Sequence, residues 1–203
     1  MIGAREEILE RLGRSQSPMS VELAAGYRPP SIADLAATFL AKATASYAKT
    51  HEVEMAEAVP EAIFAILSHA RAEPLLHIPK NARLWNLPWH RAPQITLTDA
   101  PPGADDTALS TADCAIAETG TLVFFSGPAR PAAWHFLPGR ELVLISRANI
   151  RATFEDVASA MAANGLLPCT LNLVTGPSRT GDIEQTMELG AHGPREVHIL
   201  IVA

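Results

Sequence analysis

The amino-acid sequence predicts a domain of the α/β class. Two apolar runs, 141–145 and 197–202, are continuous rather than alternating, and segments with helical periodicity lie between the strand candidates. A strand that is apolar on both faces belongs to a sheet covered on both faces, as parallel sheets are in α/β proteins. A tight Glu-Thr-Gly corner at 118–120 joins two further strand candidates and predicts an additional antiparallel component.

The first part of the chain predicts a helical extension. Residues 4–14 form an amphipathic helix candidate, and residues 15–30 have the serine, glycine and proline content of a linker. Ser31 is a favourable helix start, because two prolines precede it and a capping-box aspartate follows. We therefore predict an N-terminal helical extension and linker at 1–49 and an α/β domain at 50–203. The apolar side of the extension either packs on the chain's own core or faces a partner.

The α/β domain continues with alternating strand and helix candidates. Strands are predicted at 51–55, 75–78, 94–98, 114–117, 121–125, 141–145, 170–174 and 197–202. Helices are predicted at 60–72 and from Thr153, which caps a helix with Asp156 at the third position. Residues 99–106 have the composition of a turn.

Composition and charge exclude several classes of function. The chain of 203 residues is long enough for one core, and its net charge of −6 with scattered arginines argues against nucleic acid as a partner. No apolar run approaches a membrane span and no secretory signal is present, so we expect a cytoplasmic protein without a membrane partner. Glycine-rich nucleotide motifs and a Walker lysine are absent as well.

The cysteine content limits the possible cofactors. Cys114 and Cys169 are the two cysteines, and both lie in apolar, strand-like runs that are typical of buried thiols. An iron–sulfur cluster needs about four thiolates, and no Cys/His group has the spacing of a zinc site. We predict no cofactor and no metal on this chain.

Three segments carry residues that could act chemically. In the first, Glu118 follows an apolar strand and precedes Thr119, Gly120 and Thr121. A carboxylate in this position can act as a nucleophile, a base or a metal ligand. The structural alternative is that Glu118 pairs with an arginine while its neighbours supply the geometry of a hairpin.

The second segment contains Gly176, Ser178, Arg179, Thr180 and Asp182, directly after another apolar strand. A guanidinium suits a carboxylate or phosphate, and the hydroxyls and loop amides would assist it. Open α/β sheets bind their ligands at strand ends of this kind. The aspartate equally suits a helix N-cap, which is a structural role.

The third segment places His192 between glycines just before the last strand. A loop histidine can be a general acid or base or can bind an anion, although it can also be purely structural. Arg130 and His135, in the loop after residue 125, are weaker candidates. We assign no function to the other histidines.

Taken together, these segments resemble the LUD-domain family, and specifically its lactate-utilization protein C group. The matching residues are Ala115–Thr121, Leu137–Pro138, Gly176–Thr180, Asp182–Glu184, Gly190 and His192–Pro194. Gly181 and Ala191 stand where the family pattern has alanine and valine, and neither change removes a functional group. The resemblance implies a Rossmann-like three-layer α/β/α sandwich related to the sugar-phosphate isomerase and CoA-transferase superfamily.

The resemblance also implies a role in the oxidation of L-lactate to pyruvate, with iron–sulfur clusters on partner subunits. Because that oxidation requires a redox cofactor, we predict that this chain is a non-redox component of the complex. It would bind a small carboxylate or a partner subunit at a face formed by Glu118, Arg179 and His192. The alternatives are a stand-alone transferase or isomerase, acting on a CoA thioester or sugar phosphate with Glu118 as nucleophile or base, and a regulatory ligand-binding module.

The candidate site residues fall into two groups. Those predicted to be catalytic are Glu118 and His192. Those predicted to bind the ligand are Thr119, Gly120, Thr121, Gly176, Ser178, Arg179, Thr180 and Asp182.

Overall fold

The structure is a computed structural model, which describes residues 3–14, 31–127, 130–165, 168–180, 188–190 and 192–203. The chain forms two compact units, Met1–Pro30 and Ser31–Ala203. In the first unit a helix spans Ala4–Arg14, as predicted, and its Ile8 and Leu9 side chains are exposed. The second unit begins at Ser31, earlier than the domain boundary at residue 49 that the sequence predicted.

The described residues form five α-helices and twelve strands. The α-helices are α1 (Ala4–Arg14), α2 (Leu35–Ala45), α3 (Val59–His69), α4 (Ala82–Trp85) and α5 (Phe154–Ala163). The strands are β1 (Lys49–Val53), β2 (Leu75–His77), β3 (Thr96–Thr98), β4 (Thr107–Thr111), β5 (Cys114–Ile116), β6 (Thr121–Phe125), β7 (Arg140–Ser146), β8 (Ile150–Arg151), β9 (Leu171–Val174), β10 (Arg179–Thr180), β11 (Glu188–Leu189) and β12 (Glu196–Val202). Among the described helices, none combines the length and apolar composition needed to cross a bilayer.

A six-stranded parallel sheet forms the centre of the second unit. Its strand order is β1-β12-β7-β4-β2-β3, and every neighbouring pair is parallel. The two continuous apolar runs are β7 and β12, which lie side by side within the sheet. Both faces of these strands are buried, with Leu142 and Val143 of β7 pointing to opposite sides and fully inaccessible to solvent. The predicted α/β class with a Rossmann-like parallel sheet is therefore confirmed.

Different elements cover the two faces of this sheet. Helices α3 and α4 pack on one face, where Ile63, Leu67 and Leu84 join one buried apolar cluster. Helix α2 packs on the other face through Phe39 and Ala43, together with residues of β5, β6 and β8. Burying a side chain of this size contributes roughly 1.5–3 kcal/mol, so each covering element is held mainly by its apolar face.

Part of the covering layer is a second, four-stranded sheet. Its order is β8-β5-β6-β9, with β5–β6 and β6–β9 antiparallel and β5–β8 parallel. Helix α5 packs on the outer side of this sheet through Val157. The predicted antiparallel component exists, but it forms a sheet of its own. Consequently β5 and β9, which lead into the first two candidate segments, belong to this sheet and not to the parallel one.

Helix caps explain where two of the helices begin. Thr153 and Asp156 form the predicted capping box of α5, with N···O distances of 3.0 and 3.3 Å. Helix α2 begins after Asp34, whose carboxylate accepts a hydrogen bond from the Ala37 amide at 3.0 Å. The predicted start at Ser31 is therefore wrong, because the aspartate that was expected inside the helix is itself the N-cap.

Candidate functional site

The first two candidate segments meet at the C-terminal end of α2. Gly120 lies so close to it that an added Cβ atom would be 2.6 Å from the Lys42 carbonyl carbon. A Cβ atom added to Gly176 would overlap the carbonyl oxygen of Ser46, one residue beyond the helix. Both glycines have positive φ, 72° and 76° respectively. Glycine at these two positions thus lets two turns dock on one helix end.

A row of hydroxyl groups connects these two turns. The Oγ1 atoms of Thr119 and Thr121 are 2.7 Å apart, and those of Thr121 and Thr175 are also 2.7 Å apart. Thr121 is buried, whereas Thr119 and Thr175 are exposed at the two ends of the row. Two exposed hydroxyls on a rigid pair of turns can donate hydrogen bonds to an oxygen-rich ligand.

Arg179 follows Thr175 by four residues in the same segment, and its side chain is supported by an aromatic ring. Its guanidinium carbon is 4.9 Å from the ring centroid of Tyr47, in cation–π geometry. Tyr47 follows α2, is 61% exposed and has a φ of 69°, which is unusual for a residue other than glycine. The stacking orients the guanidinium while leaving its edge available for a carboxylate. The sequence analysis missed Tyr47, because no local pattern marks a tyrosine that ends a helix.

Glu118 occupies the turn that follows β5. Its backbone amide donates to the Ala152 carbonyl oxygen at 3.1 Å, and the Gly120 amide donates to the Ile116 carbonyl oxygen at 2.9 Å. The side chain is partly buried. One of these bonds ties Glu118 to the segment after β8 and the other closes the turn around it, so the backbone of this corner is fixed.

The third segment contacts the second through backbone hydrogen bonds. The Ser178 amide donates to the Pro194 carbonyl oxygen, and the Gly190 amide donates to the Ser178 carbonyl oxygen, both at 2.9 Å. Thr180 lies in the short β10–β11 ribbon that continues this contact. Asp182, predicted as a ligand or cap residue, lies outside the described residues.

His192 is exposed and lines a small cavity of about 270 Å³. Leu137, Pro138, Gly190 and Gly193 line the same cavity, so several residues that carry the family resemblance come together here. Neither Glu118 nor Arg179 lines it. The three residues predicted to share one face therefore lie in two neighbouring places. One is at the end of α2, the other is around His192, and residues 176–180 connect the two.

The two weaker candidates have partners within the fold. Arg130 forms an ion pair with Asp113, which ties the loop after β6 to the start of β5. His135 Nδ1 lies 2.7 Å from the carboxylate of Glu141, which is fully buried in β7. These contacts give both residues a structural role.

A larger cavity, of about 890 Å³, lies on the opposite face of the parallel sheet, between α3 and strands β1 and β12. His51 and His198 line it, with nearly parallel rings whose centroids are 5.3 Å apart and with 3.1 Å between His51 Nε2 and His198 Nδ1. Glu196 Oε2 lies 3.1 Å from His198 Nε2, 3.0 Å from Arg140 Nε and 3.2 Å from Lys49 Nζ. The sequence analysis gave these histidines no function, because the two are 147 residues apart in the chain.

Burial and charge control the protonation of this cluster. Burial lowers the pKa of His198 to about 4, aided by the positive charge of Lys49 and opposed by the hydrogen bond with Glu196. Burial and Lys49 also lower the pKa of His51. For Glu196, burial alone would raise the pKa, but hydrogen bonds from Arg140, His198 and Lys49 outweigh it and lower the pKa to about 2. Near pH 7 the carboxylate is therefore ionised and both imidazoles are neutral.

We expect His198 to make stability depend on pH. Because the folded-state pKa is about 4 and the ordinary value is 6.5, the unfolded chain takes up the proton first. The contribution of His198 is complete above about pH 6.5 and is lost as the pH falls towards 4, with a loss of about 3 kcal/mol. Urea unfolding of the wild type and His198→Gln at several pH values measures this effect. A stability difference that stays constant over that range would contradict it.

The fold and the site define a Rossmann-like α/β protein with a hydroxyl- and arginine-bearing surface at one helix end. Residues 104–202 match the sequence model of the LUD domain. This match spans just under half of the chain, and it agrees with the resemblance to the LUD-domain family that the motifs predicted.

The curated relatives share this region. The chain is 36% identical over 99 residues to an uncharacterized protein of Neisseria meningitidis serogroup B, covering 48% of this chain and 42% of that protein. It is 30% identical over 101 residues to Lactate utilization protein C of Geobacillus kaustophilus, covering 48% and 42%. To Lactate utilization protein C of Halalkalibacterium halodurans it is 31% identical, covering 48% and 44%. The matched region is thus less than half the length of these relatives.

A solved structure supports the fold. The crystal structure of a DUF162 family protein from Deinococcus radiodurans superposes with a TM-score of 0.57 at 23% identity. The match covers 86% of this chain and all of that one. At this identity the likeness concerns the fold alone.

The residues of this chain do not fit an iron–sulfur cluster. Cys114 is buried as predicted, whereas Cys169 is exposed, so the prediction of a buried thiol is wrong there. Burial, together with the charge of Asp113, raises the pKa of Cys114 to about 11 despite the opposing charge of Arg151. A buried thiol with a raised pKa is a poor source of the thiolate that iron requires. Within the described residues, no group of three His, Cys, Asp or Glu side chains is arranged to hold a metal ion.

Proposed function

We propose that this chain acts in lactate utilization as a non-redox component of an L-lactate-oxidizing complex. It binds a small carboxylate, or the acidic surface of a partner subunit, at the surface formed by Arg179, Tyr47 and the exposed hydroxyls of Thr119 and Thr175. Glu118 and His192 flank this surface on its two neighbouring parts. Electron transfer then belongs to partner subunits that carry iron–sulfur clusters.

The observation that carries this proposal is the similarity to proteins named Lactate utilization protein C, at 26–31% identity. The region of similarity includes all three candidate segments, since the LUD match spans residues 104–202. Arg179, Thr119 and Thr175 of the proposed site therefore lie within the matched region, whereas Tyr47 lies outside it.

The side chains of this protein support the proposal that it binds the ligand while partner subunits transfer the electrons. Oxidation of a hydroxy acid transfers two electrons, which a chain with two cysteines has no cluster to accept. What the chain offers instead is an oriented guanidinium beside hydroxyl donors, a combination that recognises carboxylates. Binding and positioning therefore fit its side chains better than redox chemistry does.

We expect Arg179→Ala to impair growth on L-lactate without unfolding the protein. Loss of hydrogen bonds to a charged group costs about 1.5–3 kcal/mol, which corresponds to carboxylate or partner binding roughly 10–100-fold weaker. The measurement is complementation of a deletion strain on L-lactate with tagged chains, followed by purification of each chain and mass spectrometry of its partners. Wild type should restore growth and be recovered with cysteine-rich iron–sulfur proteins.

Two controls make this test specific. Arg83→Ala removes an exposed arginine from α4, on the other face of the parallel sheet, and should behave like wild type. Arg179→Lys keeps the charge but loses the planar fork and should give intermediate growth. If the deletion strain grew normally on L-lactate, or if Arg179→Ala restored growth fully, the proposed role would be wrong.

A further inference from the structure

The cavity between α3, β1 and β12 has the dimensions of a ligand site. Its volume of about 890 Å³ lies within the range of small-molecule sites, roughly 300–1,000 Å³. Helix α3 supplies a largely apolar wall with Ala62, Ala65, Ile66 and His69, which Ala70 continues directly after the helix. Strands β1 and β12 supply the opposite, polar wall with His51 and His198. Because the helix presents alanines here, the space that larger side chains would fill stays open.

The hydrogen bonds of the polar wall run in one direction. Ionised Glu196 can only accept, so His198 donates to it from Nε2. Neutral His198 then has an unprotonated Nδ1, which accepts from His51 Nε2. His51 in turn keeps an unprotonated Nδ1, and no donor within the described part of the chain hydrogen-bonds to it. The hydrogen-bond network thus ends at Nδ1 of His51, an acceptor on a half-buried imidazole that lines the cavity.

The charges around the cavity favour an anion. Lys49 and Arg140 share the single carboxylate of Glu196, which leaves one positive charge uncompensated within this cluster. Glu52 also lines the cavity, but its carboxylate forms an ion pair with Arg147. The Lys49 ammonium is about half exposed at the cavity wall, where an anionic group of a ligand can reach it.

We propose that this cavity binds an organic anion that has an apolar body and a hydrogen-bond donor. The apolar body packs against the alanine wall of α3, the anionic group lies near Lys49, and the donor binds Nδ1 of His51. This site is separate from the Arg179 surface, because residues 196, 198 and 200 of β12 face α3, whereas 197, 199 and 201 face α2 and the second sheet.

A matched series of probes tests each part of this proposal at pH 7.5 by calorimetry. 3-Phenyllactate has a ring, a carboxylate and a hydroxyl, 3-phenylpropanoate lacks the hydroxyl, and 2-phenylethanol lacks the carboxylate. We expect saturable binding of 3-phenyllactate to the full chain. Binding should be about fivefold weaker without the hydroxyl and at least about tenfold weaker without the carboxylate.

Variants of the chain locate the binding. Ala65→Trp fills the cavity from α3 and should abolish binding, whereas Ser68→Trp places the same side chain on an exposed position of α3 outside the cavity lining and should not. His51→Phe keeps the ring but removes the acceptor, so the preference for the hydroxyl should disappear. Circular dichroism and urea unfolding confirm that each variant is folded.

Each outcome decides the proposal. It is overturned if 3-phenyllactate does not bind saturably, if all three probes bind equally, or if Ala65→Trp binds like wild type. Binding that is lost in Ala65→Trp but kept in Ser68→Trp belongs to the cavity, so failure of the cavity and failure of the Arg179 surface are distinguishable.

Discussion

Gly176→Ala is expected to lower the free energy of unfolding by about 3 kcal/mol or more. A left-handed conformation costs a residue with a Cβ atom about 1–2 kcal/mol, and forcing an atom into a packed contact costs about 1–3 kcal/mol. At Gly176 both costs apply, because φ is 76° and the new Cβ would overlap the carbonyl oxygen of Ser46. Because that oxygen belongs to the backbone, no side-chain rotation can relieve the overlap, and the backbone at Ser46 or Gly176 must shift.

Gly120→Ala should behave in the same way, since its Cβ would meet the backbone of Lys42 and Ala43. The matched control is Gly165→Ala, where φ is 60° but no atom lies within 4 Å of the new Cβ. It should cost only about 1 kcal/mol, the conformational part alone.

Urea unfolding of the three variants separates the cost of the left-handed backbone conformation from the cost of the steric overlap. If Gly176→Ala and Gly120→Ala cost no more than Gly165→Ala, the docking of both turns on α2 would be wrong. If they cost more, the same displacement should also disturb Arg179, whose Tyr47 platform directly follows Ser46. We therefore expect both variants to weaken carboxylate binding as well as stability.

His135→Ala is expected to destabilise the protein by about 3–5 kcal/mol, because it removes a partner of a buried carboxylate. Glu141 is fully inaccessible, and its Oε1 atom lies 2.7 Å from both Ser110 Oγ and His135 Nδ1. Its Oε2 atom has no hydrogen-bond partner among the described residues. Without the imidazole, a single serine hydroxyl would be left to satisfy the carboxylate.

A double replacement tests whether the loss comes from the unpaired carboxylate. His135→Phe with Glu141→Leu removes both polar partners and keeps an aromatic ring near Phe124, whose centroid is 4.0 Å from that of His135. Such apolar replacements of a buried pair are often neutral or stabilising, so the double variant should be more stable than His135→Ala. Chemical denaturation compares them. A cost below about 1 kcal/mol for His135→Ala would show that the carboxylate is satisfied in another way.

The sequence predicted the elements whose signals are local. The capping box of α5 involves residues three apart, and the apolar runs of β7 and β12 are contiguous, so each could be recognised without knowledge of the fold. Strand β4 was missed, because its Thr-Ala-Leu-Ser-Thr sequence has a weak pattern although four of its five residues are buried. Burial there comes from a central place in the sheet, which only neighbouring strands decide.

The candidate site was predicted only in part, because some of its residues lie in local motifs and others are brought in by packing. The motifs around Glu118, Arg179 and His192 lie in the region that matches the LUD-domain model, and Ser178 does link the second and third segments. That β9 belongs to the second sheet was not predicted, because nothing in the strand itself states which sheet it joins. Tyr47 and the end of α2 entered the site only through packing.

Taken alone, the amino-acid sequence determined the α/β class, the family resemblance, the acidic balance and the shortage of thiolates. These properties are compositional or depend on residues near one another in the chain. The tertiary structure decided the separate second sheet, the two glycine turns on α2 and the hydrogen-bonded pair His51–His198. Each of these depends on contacts between distant residues, which periodicity cannot encode because it describes one element at a time. For the histidine pair, parallel pairing of β1 with β12 is what brings the two rings together.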